Sequence, residues 1–177
     1  MNPLLQIQNL SVDFTTEQGV THALQNISLT VNRNEVVALV GESGSGKSVT
    51  ALSILQLLPS PPAKYVSGEI LFSETGTDNT DLLQRNRYEM QDIRGNRIAM
   101  IFQEPMTSLN PVLTCGEQVM EAILQHKQLS KEEARKRTIH WFEKVKLPDP
   151  AAVLSRYPHQ LSGGQKQRVM IAMAMCC

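Results

Sequence analysis

A glycine-rich octapeptide in the first third of the chain has residue types suited to holding phosphate groups. The pattern G-x-x-x-x-G-K-[ST] is matched at every defined position by Gly41, Glu42, Ser43, Gly44, Ser45, Gly46, Lys47 and Ser48. Glycines let the backbone curl around an anion so that several N–H groups point at it. Lys47 supplies a compact cation, and the Ser48 hydroxyl can ligate Mg²⁺. The octapeptide predicts nucleoside triphosphate binding, and a plain turn between a strand and a helix is the alternative.

A second small motif begins 120 residues further on. It consists of Leu161, Ser162, Gly163, Gly164 and Gln165. A Ser hydroxyl and glycine amides at the start of a helix form a smaller phosphate cradle. The alternative is an ordinary helix cap at Ser162. Two glycines cost a helix roughly 1 kcal/mol each relative to alanine. Capping alone does not require them, so contact between this backbone and a ligand is the better explanation.

The elements around the octapeptide fit phosphate binding. The apolar, β-branched run at residues 36–40 is typical of a central strand covered on both faces. Residues 49–58 are apolar at helical spacing, and three prolines at 59, 61 and 62 end that helix. Strand, glycine-rich loop and helix in this order are the local geometry of a phosphate-binding α/β unit.

Other segments predict an N-terminal sheet and a helical region. Period-two alternation indicates strands at 10–14 and 27–32, and further strands are expected at 69–72 and 97–102. The polar stretch between the last two strands is interpreted as a loop with a short helix. Thr114 with Glu117, and Ser130 with Glu133, have the spacing of capping boxes that open helices. A last helix is expected at 164–177.

Composition excludes several classes of protein. The 177 residues include 17 Lys plus Arg and 17 Asp plus Glu, and this balance argues against a nucleic-acid partner. The longest apolar run has nine residues, whereas a membrane-spanning helix needs about 20. Cys115, Cys176 and Cys177 have no CxxC spacing and are expected to be free thiols.

The two motifs together resemble the nucleotide-binding subunit of an ATP-binding cassette (ABC) transporter, whose signature is LSGGQ. Arg94-Gly95 and residues 98–111, IAMIFQEPMTSLNP, are similar to the Q-loop region of the dipeptide, oligopeptide and nickel importer subfamily. The segment YPHQ at 157–160 is similar to that subfamily as well. The resemblance covers the chain from about residue 4 to residue 177.

This resemblance implies roles for individual residues. ATP and Mg²⁺ would bind the octapeptide, with Ser48 and Gln103 near the metal. Phe14 matches the position whose aromatic ring stacks on adenine, and a buried core Phe is the competing interpretation. Gln103 matches the Q-loop glutamine, and residues 104–111 lie where the family meets its membrane permease. Residues 161–165 would contact the ATP held by a second nucleotide-binding domain.

The fold expected from the resemblance is α/β, a P-loop NTPase of ABC type. It has an N-terminal antiparallel β subdomain and a helical signature subdomain. Residues 1–103 would form the β subdomain and P-loop core, 104–164 the helical subdomain, and 165–177 the start of the return to the core. The family's catalytic Glu and metal-binding Asp follow four apolar residues on a later strand, and no Asp of this chain has that context. The set of catalytic residues expected for the family is therefore incomplete in this chain, and the core sheet is expected to lack strands. We interpret the chain as part of a longer ATPase.

Three hypotheses remain at this stage. In the first, the chain is part of the ATP-hydrolysing subunit of a peptide-type importer, on the cytoplasmic face of the membrane. Its partners would be a second nucleotide-binding domain (identical, different or fused), the permease and, indirectly, an extracytoplasmic substrate-binding protein. In the second, it is a short module that binds a nucleotide or a partner without hydrolysis. In the third, it is a cytosolic ABC-type ATPase of repair or translation, which the sequence at 100–111 disfavours. Peptides, glutathione-like compounds and nickel all stay open as cargo.

Overall fold

The computed structural model describes residues 3–76, 78–103 and 108–177. The chain divides into two compact units, Met1–Met90 and Gln91–Cys177. Each unit has its own buried side chains.

The first unit is built on a four-stranded antiparallel sheet in the order β2-β1-β3-β4. The strands are β1 (Leu5–Thr16), β2 (Gly19–Val31), β3 (Ala63–Phe72) and β4 (Thr80–Asp81). Alternate residues of β1, including Leu10 and Val12, are fully buried, as expected of a sheet with one face on a core. The predicted N-terminal antiparallel β subdomain is confirmed.

Helix α1 (Lys47–Ile54) follows the glycine-rich loop, and a 3-10 helix (Leu82–Gln84) and α2 (Arg87–Ile93) follow the sheet. The strand predicted at 36–40 is not formed, and Val36 and Val40 are 97% and 86% exposed. A strand needs a neighbour to satisfy its N–H and C=O groups, and no pairing partner for 36–40 occurs among the described residues. The strand predicted at 97–102 is likewise reduced to one isolated bridge, between Arg94 and Ile98.

The second unit is helical. Its helices are α3 (Cys115–His126), α4 (Lys131–Lys144), α5 (Pro150–Val153), a 3-10 helix (Pro158–Gln160) and α6 (Gly163–Met175). Both predicted capping boxes are confirmed, since Thr114 opens α3 and Ser130 opens α4 with reciprocal bonds to Glu117 and Glu133. The start of the last helix is one residue earlier than expected, because Ser162 is its N-cap.

The apolar faces of α3, α4 and α6 meet in one core. Its fully buried members include Val119 and Ile123 of α3, Phe142 of α4 and Val169 of α6. None of the helices in the described parts of the chain is both long and apolar enough to cross a membrane.

Candidate functional site

Residues 41–45 of the octapeptide form an exposed loop, Gly46 is half-buried, and Lys47 and Ser48 are the first two residues of α1. Gly44 and Gly46 have φ angles of +83° and +88°, in the left-handed region that strains any residue with a Cβ atom. The N–H of Ser45 donates to the carbonyl oxygen of Glu42 over 3.2 Å and closes the turn. Gly46 is the N-cap of α1 and has no side chain that could accept a bond from the first turn. The first-turn N–H groups of α1 thus donate to no capping side chain, and N–H groups at the N-terminus of a helix suit an anion such as phosphate.

The Lys47 ammonium lies over the same loop. Its Nζ donates to the carbonyl oxygens of Gly41 at 2.7 Å and Glu42 at 2.6 Å. These bonds hold the cation at the loop rather than in open solvent. Phosphate oxygens are stronger acceptors for an ammonium than neutral carbonyls, so a bound phosphate can replace these partners. Together the ammonium, the loop amides and the Ser48 hydroxyl form a donor set that fits a nucleotide phosphate with Mg²⁺.

The loop is fixed in place by β2. A Cβ atom on Gly46 would lie 2.6 Å from Cδ2 of Leu24 and 3.1 Å from the carbonyl oxygen of Ala23. The start of α1 therefore packs so closely on β2 that only glycine fits. The sequence alone does not identify Leu24 as a contact of this loop. Its one local signal is an apolar side chain three residues before the alternating segment 27–32.

Phe14 lies in β1 within the same unit. It is half-buried and lies two residues after Val12, so both side chains are on one face of the sheet. Val12 pairs with Leu24, the residue that contacts Gly46. Phe14 thus lies on the face against which the glycine-rich loop is anchored. Adenine stacking by Phe14 stays a prediction.

The second motif begins α6. The N–H of Ser162 donates to Oε1 of Gln165 over 3.0 Å, and the N–H of Gln165 donates to the Ser162 hydroxyl over 3.3 Å. Both side chains are thus used in a capping box. Around Gly163 and Gly164, by contrast, a Cβ atom would meet nothing within 4 Å, and both residues are exposed. The local structure supplies no reason for glycine at either position.

The predicted site residues are divided between the two units. Phe14 and the octapeptide lie in the first unit, whereas Gln103 and the motif at 161–165 lie in the second. Gln103 is exposed, and residues 104–107 lie outside the described residues. Leu161 is buried in the helical core and anchors the second motif. The described residues contain no cluster of three or more His, Cys, Asp or Glu side chains that could hold a metal.

The three cysteines are free thiols, as predicted. Burial raises the pKa of Cys115 to about 11. Burial, together with the neighbouring Cys177 thiol, raises the pKa of Cys176 to about 12. Thiolate is the reactive form of cysteine, so these two side chains are inert at neutral pH and serve as small apolar groups in the core.

Comparison with known proteins gives a consistent result. Residues 24–177 match the family model described as ABC transporter. The dipeptide transport ATP-binding protein of Bacillus subtilis (strain 168) is 49% identical over 177 residues, which are 100% of this chain and 51% of that protein. The glutathione import ATP-binding protein of Salmonella choleraesuis (strain SC-B67) is 47% identical over 98% of this chain and 28% of its own length.

Solved structures agree with the sequence relatives. A dimeric bacterial ABC transporter cassette superposes with a TM-score of 0.82 at 31% identity, covering 97% of this chain and 69% of that one. A dimeric cassette in a post-hydrolysis state bound to ADP and Pi has a TM-score of 0.80 at 29% identity, with the same coverage. The chain spans about half the length of the dipeptide transport relative and less of the glutathione import relative.

Proposed function

Because the chain belongs to the ABC transporter family, we propose that it is part of the ATP-binding, energy-coupling subunit of a peptide-type importer. One observation carries this proposal: the Lys47 ammonium lies over a glycine-rich loop whose backbone curls toward the N-terminus of α1. This arrangement concentrates positive charge and N–H donors on one small surface, which suits the phosphates of ATP.

The predicted site residues of the first unit have distinct tasks in this proposal. Lys47 would exchange its carbonyl partners for phosphate oxygens, and the loop amides would orient the phosphate chain. The Ser48 hydroxyl would be a ligand of Mg²⁺, the Phe14 ring would stack on adenine, and the metal role of Gln103 stays a prediction from the resemblance. ATP with Mg²⁺ supplies the phosphoanhydride bond whose cleavage drives transport.

The signature motif acts on a second molecule of ATP. We place Ser162, Gly163 and Gly164 against the nucleotide bound by another nucleotide-binding domain in a head-to-tail dimer. The open space around both glycines supports this placement, since a backbone without Cβ atoms allows a phosphate to approach closely. The dimeric cassettes among the structural relatives are in keeping with it.

Hydrolysis is proposed for the complete protein and not for this chain alone. Water activation and metal binding need carboxylates, and none of the five aspartates, at 13, 78, 81, 92 and 149, follows four apolar residues. We expect the 177-residue chain to bind ATP with little turnover. The same observation favours the second candidate function, a module that binds a nucleotide or a partner without hydrolysis.

The partners and location of the complete protein are part of the same proposal. We propose a membrane permease as the direct partner, an extracytoplasmic substrate-binding protein as an indirect one, and a peripheral location on the cytoplasmic face of the membrane. Dipeptide, oligopeptide and glutathione transport relatives support an importer of peptides or peptide-like compounds.

Replacing Lys47 by alanine tests the binding proposal. Loss of a hydrogen bond to a charged group costs about 1.5–3 kcal/mol, so Lys47→Ala should weaken binding of a fluorescent ATP analogue by roughly tenfold to a hundredfold. The matched control is Lys64→Ala, which removes an exposed lysine from β3 of the same unit and should leave the affinity unchanged. Equal affinities for Lys47→Ala and the wild type would contradict the proposed site.

A further inference from the structure

Two arginines join helices α4 and α6, and each donates to the C-terminal end of the other helix. Arg137 of α4 donates from Nε to the carbonyl oxygen of Cys176 over 2.9 Å. Arg168 of α6 donates from Nη1 to the carbonyl oxygens of Val145 at 2.8 Å and Lys146 at 2.7 Å. Cys176 and Val145 are the C-caps of α6 and α4. The last carbonyl groups of a helix have no partner within the helix, so a cation that donates to them stabilises the helix end.

The two contacts have the same spacing on both helices. They are eight residues apart along α4, at 137 and 145, and eight residues apart along α6, at 168 and 176. The higher-numbered position of α4 meets the lower-numbered position of α6, so the helices run antiparallel. Eight helical residues span about 12 Å, so both contacts form together at one position of α6 along the axis of α4. A slide of α6 by one turn, about 5.4 Å, would break both.

Apolar packing fixes the orientation of α6 more than its position along α4. Val169 and Met170 of α6 are buried in the helical core with Phe142 of α4, which determines the face that α6 turns inward. Burial of apolar surface is non-directional, whereas a hydrogen bond requires a defined distance and angle. The arginine contacts are directional, so they set the position of α6 along α4.

The position of the signature motif follows from that of α6. Ser162 and Gln165 bond each other in the capping box, and Gly163 and Gly164 are the first two residues of the helix. Arg168 lies four residues after Gly164, which is about 6 Å along the helix axis. A slide of α6 would therefore move the exposed glycine backbone by the same distance.

We propose that Arg168 is a positioning residue for the signature motif. Through the C-terminal end of α4 it sets the place at which the backbone of Gly163 and Gly164 meets the second nucleotide. The inference rests on the proposed function, which puts this backbone against ATP bound by another domain. It adds a contact outside the motif at 161–165 that holds the motif in place. Groups that act on a reacting phosphate must be placed closely, so a small displacement slows the reaction.

The test uses the complete protein assembled with its permease in lipid nanodiscs and measures kcat and KM for ATP hydrolysis. Arg168→Ala should lower kcat by roughly tenfold to a hundredfold, the effect of a displacement of about 1 Å. Arg168→Lys should keep kcat within about threefold of the wild type, because an ammonium has three N–H donors and can serve both carbonyl oxygens. Both variants of the separate complete subunit should bind the fluorescent ATP analogue within about twofold of the wild type, as expected of a surface substitution away from the glycine-rich loop.

Two control variants separate positioning from charge and from stability. Arg135→Ala removes the same charge from an exposed position of α4 and should hydrolyse ATP like the wild type. Asp149→Ala removes the side chain that accepts from the N–H of Ala152 at the start of α5. Loss of this cap should lower the urea midpoint and leave kcat unchanged, which shows that reduced stability of the helical unit does not by itself slow hydrolysis.

The outcomes distinguish this inference from the proposed function. A wild-type kcat for Arg168→Ala would overturn the inference, as would an Arg168→Lys variant as slow as Arg168→Ala. An Asp149→Ala variant that lost kcat to the same extent would overturn it as well. If Lys47→Ala retained full ATP affinity, the proposed function itself would fail. If Lys47 were required for ATP binding and Arg168→Ala had no effect on kcat, only the present inference would fail.

Discussion

Glycine serves different purposes in the two motifs. In the glycine-rich loop the fold itself requires glycine, because Gly46 has a positive φ angle and lies against Leu24. In the signature motif the chain does not demand it, because Gly164 sits in ordinary helix with open space around it. Where the fold itself requires glycine, a substitution should lower the stability of the protein. Where only a partner requires it, a substitution should not lower the stability but should reduce the activity of the assembled protein.

Gly164→Ala tests this distinction. Alanine is favoured over glycine within helices by up to about 0.5–1 kcal/mol, so the urea midpoint of the complete protein without nucleotide should rise rather than fall. ATP hydrolysis by the complete protein should fall, because the added methyl group intrudes where the second nucleotide is proposed to approach. If Gly164→Ala lowered the stability and left ATP hydrolysis normal, the fold and not the second nucleotide would require glycine at this position.

Gly46→Ala is the matched comparison and should behave in the opposite way. Left-handed backbone costs a residue with a Cβ atom about 1–2 kcal/mol, and the contact with Leu24 adds to that cost. We expect the complete protein with this change to have a lower urea midpoint and to bind the ATP analogue more weakly. A Gly46→Ala chain as stable as the wild type would show that the loop relaxes more easily than its packing indicates.

Among the elements, the helix starts were the most predictable from sequence. A capping box is a contact between residues three apart, so Thr114 with Glu117 and Ser130 with Glu133 carry the whole signal locally. Strands differ, because a strand exists only where another strand pairs with it. The run at 36–40 has the composition of a central strand, yet it is not a strand without a pairing partner.

The candidate site shows the same division between local and distant signals. The octapeptide and the signature motif are both contiguous in sequence, so the residue types and their spacing alone identify them. Leu24 has no such local signal, because its importance lies in its contact with Gly46, 22 positions away. A single apolar residue in a strand has no pattern that distinguishes it from its neighbours.

The capping box of α4 predicts a pH dependence at the scale of the element. Hydrogen bonds from the Ser130 side chain and backbone lower the pKa of Glu133 below its ordinary 4.5. A carboxyl whose pKa is lower in the folded state contributes stability above its unfolded pKa and loses it as the pH falls through the folded value. The stability of the helical unit should therefore decline below about pH 4.5.

Glu133→Gln tests this dependence, since glutamine also fits the capping box but does not titrate. We expect a smaller difference between the urea midpoints at pH 7 and pH 3 than in the wild type. Glu132→Gln is the control, because Glu132 is paired with Lys136 and takes no part in the cap. An identical acid slope for Glu133→Gln and the wild type would exclude the cap as its source.

At the scale of the whole molecule, the exposed apolar run at 36–40 is the feature most at odds with a stable isolated chain. Val36 and Val40 are almost fully exposed, and Val37 and Leu39 are more than one-third exposed. A short, uncharged, β-branched segment with free backbone groups is a typical site of strand-to-strand association. We expect the purified 177-residue chain to self-associate and to melt without one sharp cooperative transition.

Placing lysines in this run makes the expectation testable in two settings. Val36→Lys with Val40→Lys should shift the isolated chain toward monomer in light scattering at little cost in stability, because both side chains already lie in solvent. In the complete protein we expect the same pair to impair folding, because residues 36–40 are there predicted to be a central strand covered on both faces. The control pair Glu17→Lys and Gln18→Lys adds the same side chains at the exposed turn between β1 and β2 and should be tolerated in both. If the complete protein tolerated the lysine pair equally well, residues 36–40 would not be part of its core sheet. If the wild-type 177-residue chain were monomeric and melted in one sharp transition, the exposure of residues 36–40 would not cause association.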